Sequence, residues 1–213
     1  MFIVEFKSIW YHTEVVMSDF KLTVEIRKPS YAQNKTVRNS IPGTLWNCIR
    51  NHVHKNGDFT CQICGYRGEE KLQAHEVWGY DEEKFLLILK DVQSLCKSCH
   101  DLKHIHHVTR RIEDSNMRGF VRQNLRKHFM KVNKCTEKDF RKHYRDQLAK
   151  NDTSPVNRSL EDLIEIRKLR EREEFLKEQN WQFVIANNVP FAKEIKSKLN
   201  EKGLLYKAEN NGL

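Results

Sequence analysis

The 213-residue chain lacks any hydrophobic run long enough to cross a membrane, because a transmembrane helix needs about 20 consecutive apolar residues. It also lacks internal repeats and low-complexity tracts. Its first residues, MFIVEFKSIWYHTEVVM, have neither a basic leader nor a small-residue cleavage site, so they do not resemble a signal peptide. From these absences we expect a cytoplasmic protein with no membrane partner.

The composition is polar but not that of a disordered chain, with 38% hydrophobic and 31% charged residues. The net charge is +9, and most of the excess lies in residues 101–150, which hold 14 Lys or Arg against 6 Asp or Glu. A basic segment of this kind predicts a polyanionic partner bound through phosphate contacts. A solvated basic helix face without a partner is the alternative explanation.

Four cysteines form two CxxC pairs with the spacing C-x2-C-x31-C-x2-C. The pairs are Cys61 with Cys64 and Cys96 with Cys99. In a reducing compartment, CxxC pairs indicate metal or redox chemistry rather than disulfides. Two such pairs supply the four thiolates of a tetrahedral zinc site, and a site filled by four cysteines has no open position. The spacing therefore predicts a structural Zn²⁺.

Three histidines close to these cysteines are not needed for that zinc. His100 and His104 are four residues apart at the start of a predicted helix, so they share one face. His75 lies in a predicted strand that the zinc would hold against this helix. Three converging imidazoles can bind a second divalent ion, either Mg²⁺, Mn²⁺ or Zn²⁺, and imidazole suits a transition metal better than Mg²⁺.

The stretch from Cys61 to His104 resembles the HNH endonucleases, whose core is a ββα-metal unit. The segment LQAHEV at 72–77 is similar to the family's metal-ligand strand, and DVQSLCKSCH at 91–100 is similar to its N-L-Q-x-L-C-x-x-C-H segment. His104 matches the additional helix ligand of the colicin-like branch. The similarity is strong over about 45 residues and points to a bacterial subgroup with an AHEVW strand.

This resemblance implies a metal-dependent endonuclease that hydrolyses double-stranded DNA and leaves 5′-phosphate and 3′-hydroxyl ends. It also implies a bacterial or phage restriction, homing or defence setting. The implied catalytic residues are His75, Glu76, Asp91 and His100, and the implied ligands of the catalytic metal are His75, His100 and His104.

The sequence departs from the family pattern at two positions. In the strict alignment His75 takes the metal-ligand position and Glu76 takes the position of the general base, for which Glu is weaker unless burial raises its pKa. In the alternative, the strand is shifted by one residue and His75 is itself the base. Asp91 replaces an Asn that normally orients the catalytic loop, and Asp cannot donate the hydrogen bonds of an amide.

Basic residues after the second cysteine pair are candidates for contacts with the nucleic-acid backbone. Lys103 either approaches the scissile phosphate or covers the helix surface. The other candidates are Arg110, Arg111, Arg118, Arg122, Arg126 and Lys127. Phosphate contacts of this kind make binding sensitive to salt but do not read sequence.

The predicted fold class is α+β, with a ββα core stapled by the zinc site and a mostly helical C-terminal part. Its predicted divisions are an N-terminal strand and loop region at 1–43, a nuclease domain with a basic helical extension at 44–150, and a helical appendage at 151–213. The appendage can bind a protein partner or self-associate through its helices. The alternative function is a catalytically weak zinc module that binds nucleic acid or protein without cutting.

Overall fold

The computed structural model describes residues 20–25, 28–67, 72–149 and 160–207, with the side chains of 160–163 left out. The fold is mixed α+β. A short 3₁₀ helix at Ser30–Ala32 precedes the elements that we label here. They are α1 (Val37–Ser40), α2 (Gly43–Asn56), β1 (Gln73–Asp81), β2 (Leu86–Leu95), α3 (Lys97–Lys103), α4 (Ile105–Arg110), α5 (Ser115–Asn133), α6 (Glu137–Ala149), α7 (Leu160–Glu178), β3 (Gln182–Ile185) and α8 (Ala192–Glu201).

The three strands form one sheet in the order β1-β2-β3. β1 and β2 are an antiparallel hairpin that leads directly into α3. Its register shifts between Val77 and Trp78, which marks an irregularity near the middle of the hairpin. β3 pairs parallel with the first half of β2, from Leu86 opposite Gln182. The sheet therefore joins chain segments that are about a hundred residues apart, through the helical crossover that parallel pairing requires.

Two clusters of buried apolar side chains stabilise the molecule. The first packs α2 and β2 against β3, α8 and Trp181. The second surrounds the four cysteines and packs α3 against α5 and α6. Because β2 contributes to both clusters, through Leu89 and Leu95, the strand that ends at the second cysteine pair is fixed on both sides.

Several helices agree with the sequence predictions. The apolar spacing of Trp46, Ile49 and Val53 predicts a helix that ends at Gly57, and α2 buries these three side chains and ends at Asn56. At α6, Thr136 and Asp139 have the sequence spacing of a capping box, and the structure contains this pair. The Asp139 backbone N–H donates to Thr136 Oγ1 at 3.3 Å, and the Thr136 backbone N–H donates to Asp139 Oδ2 at 2.9 Å.

The sequence pattern FKLTVEIR predicts a strand at residues 20–27, and this prediction is wrong for the described residues 20–25. Leu22 and Val24 are buried, but helix side chains satisfy the backbone in place of a neighbouring strand. Asn133 bonds both backbone groups of Leu22, and the Val24 N–H donates to His143 Nε2 at 3.0 Å. The sequence also predicts a strand at residues 3–6, which lie outside the described residues.

The segment predicted as a helical appendage also contains β3, which the sequence analysis did not predict. Its side chains Phe183 and Ile185 share a buried core with Ile49 of α2. The proposed division at 150/151 stays a prediction, since the linker at 151–159 lies outside the described residues. In the part of the chain that is described, no helix is long and apolar enough to cross a membrane.

Candidate metal centre

The four cysteines come together at the open end of the β1–β2 hairpin. Cys61 and Cys64 occupy a turn before β1, which Gly65 closes with a positive φ of 74° that an L side chain rarely adopts. Cys96 is the N-cap of α3, and Cys99 lies in its first turn. The sulfur atoms all lie within 4.8 Å of one another. The Sγ atoms of Cys64 and Cys96 are 3.6 Å apart, close to the edge of about 3.8 Å in a zinc–thiolate tetrahedron.

The chemistry of this cluster fits a bound cation. The pKa of Cys61 is lowered by hydrogen bonds from Cys96 and Cys99, whereas the pKa of Cys99 is raised by its hydrogen bonds with the same neighbours. Crowded sulfurs therefore cannot all be thiolates unless a cation replaces their protons. The sulfur cluster can bind a structural metal such as Zn²⁺, as the CxxC spacing predicts. His128 of α5, which sequence reasoning missed, lies 3.1 Å from Cys99 Sγ through its Nε2 atom.

Three imidazoles form a second cluster beside the first. His75 lies on β1, His100 lies on α3, and His104 is the C-cap that directly follows α3. Their ring centroids are 4.8 to 5.7 Å apart. One ligand nitrogen from each ring lies within 4.8 Å of the other two. The helical spacing of four and the adjacent strand thus bring together the three residues that the sequence singled out.

The three histidines can hold a metal ion, and their surroundings are compatible with one. His75 is only 4% exposed, and among the described residues its Nε2 atom and His100 Nδ1 are buried without a hydrogen-bond partner. Burial and the nearby charges of His75 and His100 lower the pKa of His104 to about 4, so this ring is neutral near pH 7 and keeps a lone pair for a metal. Ligand nitrogens of one ion are roughly 3 to 3.5 Å apart, which small ring rotations can reach.

A carboxylate that sequence reasoning missed lies against the histidines. Glu25 places Oε2 3.6 Å from His75 Nε2 and Oε1 2.5 Å from Lys103 Nζ. Burial alone raises the pKa of Glu25, but the interactions with His75 and Lys103 outweigh burial and lower this pKa to about 2. No local sequence signal identifies Glu25, because it precedes Cys61, the first cysteine of the sulfur cluster, by 36 positions in a segment that resembles a strand.

Lys103 is not on the surface, as a phosphate contact would require. It is 7% exposed, and its ammonium group forms the ion pair with Glu25. A buried ammonium needs such a counter-charge, because desolvation of an unpaired charge is costly. Lys103 is therefore neither a free cation near the scissile phosphate nor a residue that covers the helix surface, which were the two expected positions.

The structure does not bring Glu76 or Asp91 into the histidine cluster. The Glu76 carboxylate accepts a hydrogen bond from the Arg38 backbone N–H at 3.0 Å and contacts Trp78 Nε1 at 3.4 Å. Burial raises the pKa of Glu76, and the bond from Arg38 opposes this shift. Asp91 lies within β2, where its Oδ1 accepts from the backbone N–H of Val92 at 2.8 Å.

A cleft of about 740 Å³ adjoins the histidine cluster through His104 and Glu25. The predicted phosphate contacts that line it are Arg110, Arg118 and Arg122. Lys28, which was not among the predicted contacts, also lines it. Arg118 also donates to the carbonyl oxygen of Ile112, which lies between α4 and α5, so its guanidinium supports the backbone there.

The remaining basic candidates do not line this cleft. Arg111 and Lys127 are exposed. Arg126 forms an ion pair with Glu137 of α6 at 2.8 Å, so its guanidinium joins two helices. Only some of the basic residues that the sequence indicates therefore contribute to the cleft wall.

The candidate site thus consists of a sulfur cluster, an adjacent imidazole cluster and a basic cleft. The sulfur cluster lies where α3 begins, and the imidazole cluster lies on the next turn of the same helix and on β1. Comparison with protein-family models, with curated proteins and with solved structures gives no match for this chain.

Proposed function

We propose that the protein is a metal-dependent endonuclease of the HNH type that hydrolyses phosphodiester bonds in DNA. The observation that carries the proposal is the cluster of His75, His100 and His104 at the end of a cleft with arginines on its wall. Metal-dependent hydrolysis of DNA uses a cation at the scissile phosphate and positively charged side chains along the adjoining backbone. The histidine cluster offers ligands for such a cation, and the arginines of the cleft supply the positive charge.

In this proposal Cys61, Cys64, Cys96 and Cys99 hold a structural Zn²⁺ that fixes α3 against the hairpin. His75, His100 and His104 hold the second ion, and Mn²⁺, Mg²⁺ and Zn²⁺ are the candidates. A divalent ion bound there polarises the phosphodiester and stabilises charge on the leaving oxygen.

Of His75 and Glu76, we propose that His75 is the residue that belongs to the catalytic site. Consecutive residues on a strand point to opposite faces. His75 is on the side of the imidazole cluster, whereas Glu76 is engaged by the Arg38 backbone. We therefore propose no base role for Glu76, and Asp91 is proposed to support the strand rather than to bind metal.

The proposal is tested with purified protein on supercoiled plasmid in the presence of Mg²⁺ or Mn²⁺. We expect nicking by the wild type and a loss of at least about a hundredfold in His75→Ala, His100→Ala and His104→Ala, since each removes a ligand of the ion. His52→Ala is the matched control, because His52 is an exposed histidine on α2 outside the cluster. Nicking that is absent in the wild type, or unchanged in all three variants, would sink the idea.

A second candidate is a nucleic-acid-binding module without cleavage. Its supporting observation is that neither Glu76 nor Asp91 lies in the imidazole cluster, so the family's usual accessory groups are not assembled there. Salt-sensitive DNA binding with no cleavage under Mg²⁺, Mn²⁺ or Zn²⁺ is the result that favours this function over hydrolysis.

A further inference from the structure

The segment at residues 20–25 reaches the histidine cluster from outside the hairpin and α3. It is anchored by Asn133, which bonds both backbone groups of Leu22, and by the Glu25 backbone N–H, which donates to the Lys103 carbonyl oxygen at 2.9 Å. These bonds hold the backbone of Glu25 against the last residue of α3. The fold therefore fixes the backbone from which the Glu25 side chain, which is 46% exposed, reaches the histidine cluster.

Both oxygens of the Glu25 carboxylate have a partner in the site. Oε1 lies 2.5 Å from Nζ of the buried Lys103, which fixes the carboxylate and keeps it charged. Oε2 lies 3.6 Å from His75 Nε2, a buried nitrogen without a closer partner among the described residues. A shift of about 0.5 Å brings this pair within hydrogen-bonding distance.

Glu25 is not itself one of the converging ligand atoms. Among the described residues, the atoms within 4.8 Å of one another are nitrogens of His75, His100 and His104, with no carboxylate oxygen in the set. A carboxylate beside one ring nitrogen of a metal-binding histidine commonly accepts the proton of that nitrogen. It thereby fixes the tautomer and the orientation of the ring that presents its other nitrogen to the metal.

We propose that Glu25 is a positioning residue that accepts the Nε2 proton of His75 and leaves the Nδ1 lone pair of His75 for the metal, with Lys103 holding the carboxylate in place. This inference rests on the proposed metal site at the histidines, but it does not depend on cleavage of DNA. It extends the site beyond the cysteine–histidine segment to a residue that lies near the N-terminus of the described chain.

The first test reads the tautomer of His75 in the wild-type protein, with zinc in the cysteine site and no other metal. Two-bond ¹H–¹⁵N spectra of ¹⁵N-histidine-labelled protein at pH 8, above the ordinary imidazole pKa of about 6.5, distinguish the two neutral forms. The His75 signals are assigned by comparison with His75→Asn. We expect the Nε2-protonated form. An Nδ1-protonated ring would overturn the proposal, because His75 would then present Nε2, and Glu25 would have no proton to accept.

The second test measures Mn²⁺ binding by electron paramagnetic resonance, since Mn²⁺ does not compete for soft thiolates. We expect Glu25→Gln to bind one ion with an affinity about ten- to a hundredfold lower than that of the wild type. Glu113→Gln is the matched control, because Glu113 is an exposed carboxylate that neither belongs to the histidine cluster nor lines the cleft, and the charge change is the same.

The outcomes separate this proposal from the proposed function. Equal Mn²⁺ affinity in Glu25→Gln and the wild type overturns the role of Glu25 alone. No Mn²⁺ binding by the wild type overturns the metal site and the role together. Binding that weakens in Glu25→Gln without any cleavage of DNA by the wild type supports the role of Glu25 and contradicts the nuclease. The tautomer measurement needs no variant of Glu25, so it decides the matter even if that variant does not fold.

Discussion

The alternation of side chains along β1 gives two neighbouring residues, His75 and Glu76, different chemical roles. His75 faces two other imidazoles, whereas the Glu76 carboxylate accepts the Arg38 backbone N–H. This contact ties the strand to α1, and it makes Glu76 a structural acceptor. A carboxamide can accept the same hydrogen bond, so the two residues should respond differently to substitution.

We predict that Glu76→Gln lowers cleavage less than about tenfold, because the amide oxygen retains the bond from Arg38. His75→Ala should lower cleavage by a far larger factor, since it removes a member of the imidazole cluster. Initial rates of plasmid nicking under saturating Mn²⁺ provide the measurement. Equal losses in the two variants would assign Glu76 a direct part in the reaction.

The sulfur cluster gives a second prediction at the scale of single residues. Cys61→Ser should reduce bound zinc from about one ion per chain and lower the midpoint of thermal unfolding, because binding energy of a structural zinc is folding energy. Cys48→Ser is the control, since Cys48 is an exposed cysteine outside the cluster. Zinc content and melting temperature are measured on the same samples. A Cys61→Ser protein with full zinc content and unchanged melting would contradict the structural zinc.

The sequence could predict part of each ligand cluster from local geometry. CxxC turns and the spacing of His100 and His104 on one helix follow from positions a few residues apart. Glu25 and His128 could not be found in this way, because their contacts with His75 and Cys99 depend on how distant segments pack. For the same reason the burial of Lys103 was not predictable from its place in a basic segment.

At the scale of elements, β3 is a strand that the periodicity of apolar residues does not predict. Four residues, Gln182–Ile185, are too few for an alternation pattern to stand out between two helices. Their pairing partner on β2 is remote in the sequence, so only the folded chain identifies the strand. The 20–25 segment shows the opposite error, because alternation of Leu22 and Val24 indicates burial on one side but does not require strand pairing.

We predict that Phe183→Ala destabilises the whole described fold by about 3–5 kcal/mol, because Phe183 is buried in the core shared by α2, β2 and β3. Phe175→Ala is the matched control. Phe175 is 54% exposed on α7, so its truncation should cost less than about 1 kcal/mol. Urea unfolding followed by tryptophan fluorescence and circular dichroism gives both values. A separate early transition confined to the C-terminal residues would show that they form an independent unit.

At the scale of the whole molecule, the core that includes β3 supports the hairpin whose other end carries the metal clusters. The hairpin strand β2 lies between β1 and β3, and it leads to Cys96 at the start of α3. The cleft beside the histidine cluster is lined by residues of α4, α5 and the segment around Lys28. Helices α3 to α5 thus connect the metal-ligand clusters to the basic wall of the cleft. The cysteines, the histidines and the cleft arginines follow one another in space in the same order as in the sequence from Cys96 onward.

This arrangement predicts which cations contribute to the salt dependence of DNA binding. Each phosphate contact contributes nearly one unit to the slope of log affinity against log salt concentration. Arg110 and Arg122 line the cleft, whereas Arg126 is paired with Glu137. The double variant Arg110→Ala/Arg122→Ala should therefore bind less tightly and reduce the slope by roughly 2.

Arg126→Ala is the matched control for this measurement. Arg126 lies on α5, as Arg122 does, but it does not line the cleft. Glu137 keeps Arg141 as a partner at 2.5 Å in that variant, so no carboxylate is left unpaired by the substitution. Fluorescence anisotropy with labelled duplex DNA, without a cleavage-supporting ion, gives the slopes between about 50 and 200 mM salt. A slope that falls equally in Arg126→Ala would indicate a broad basic surface, and an unchanged slope in the double variant would remove the cleft as the path of the DNA.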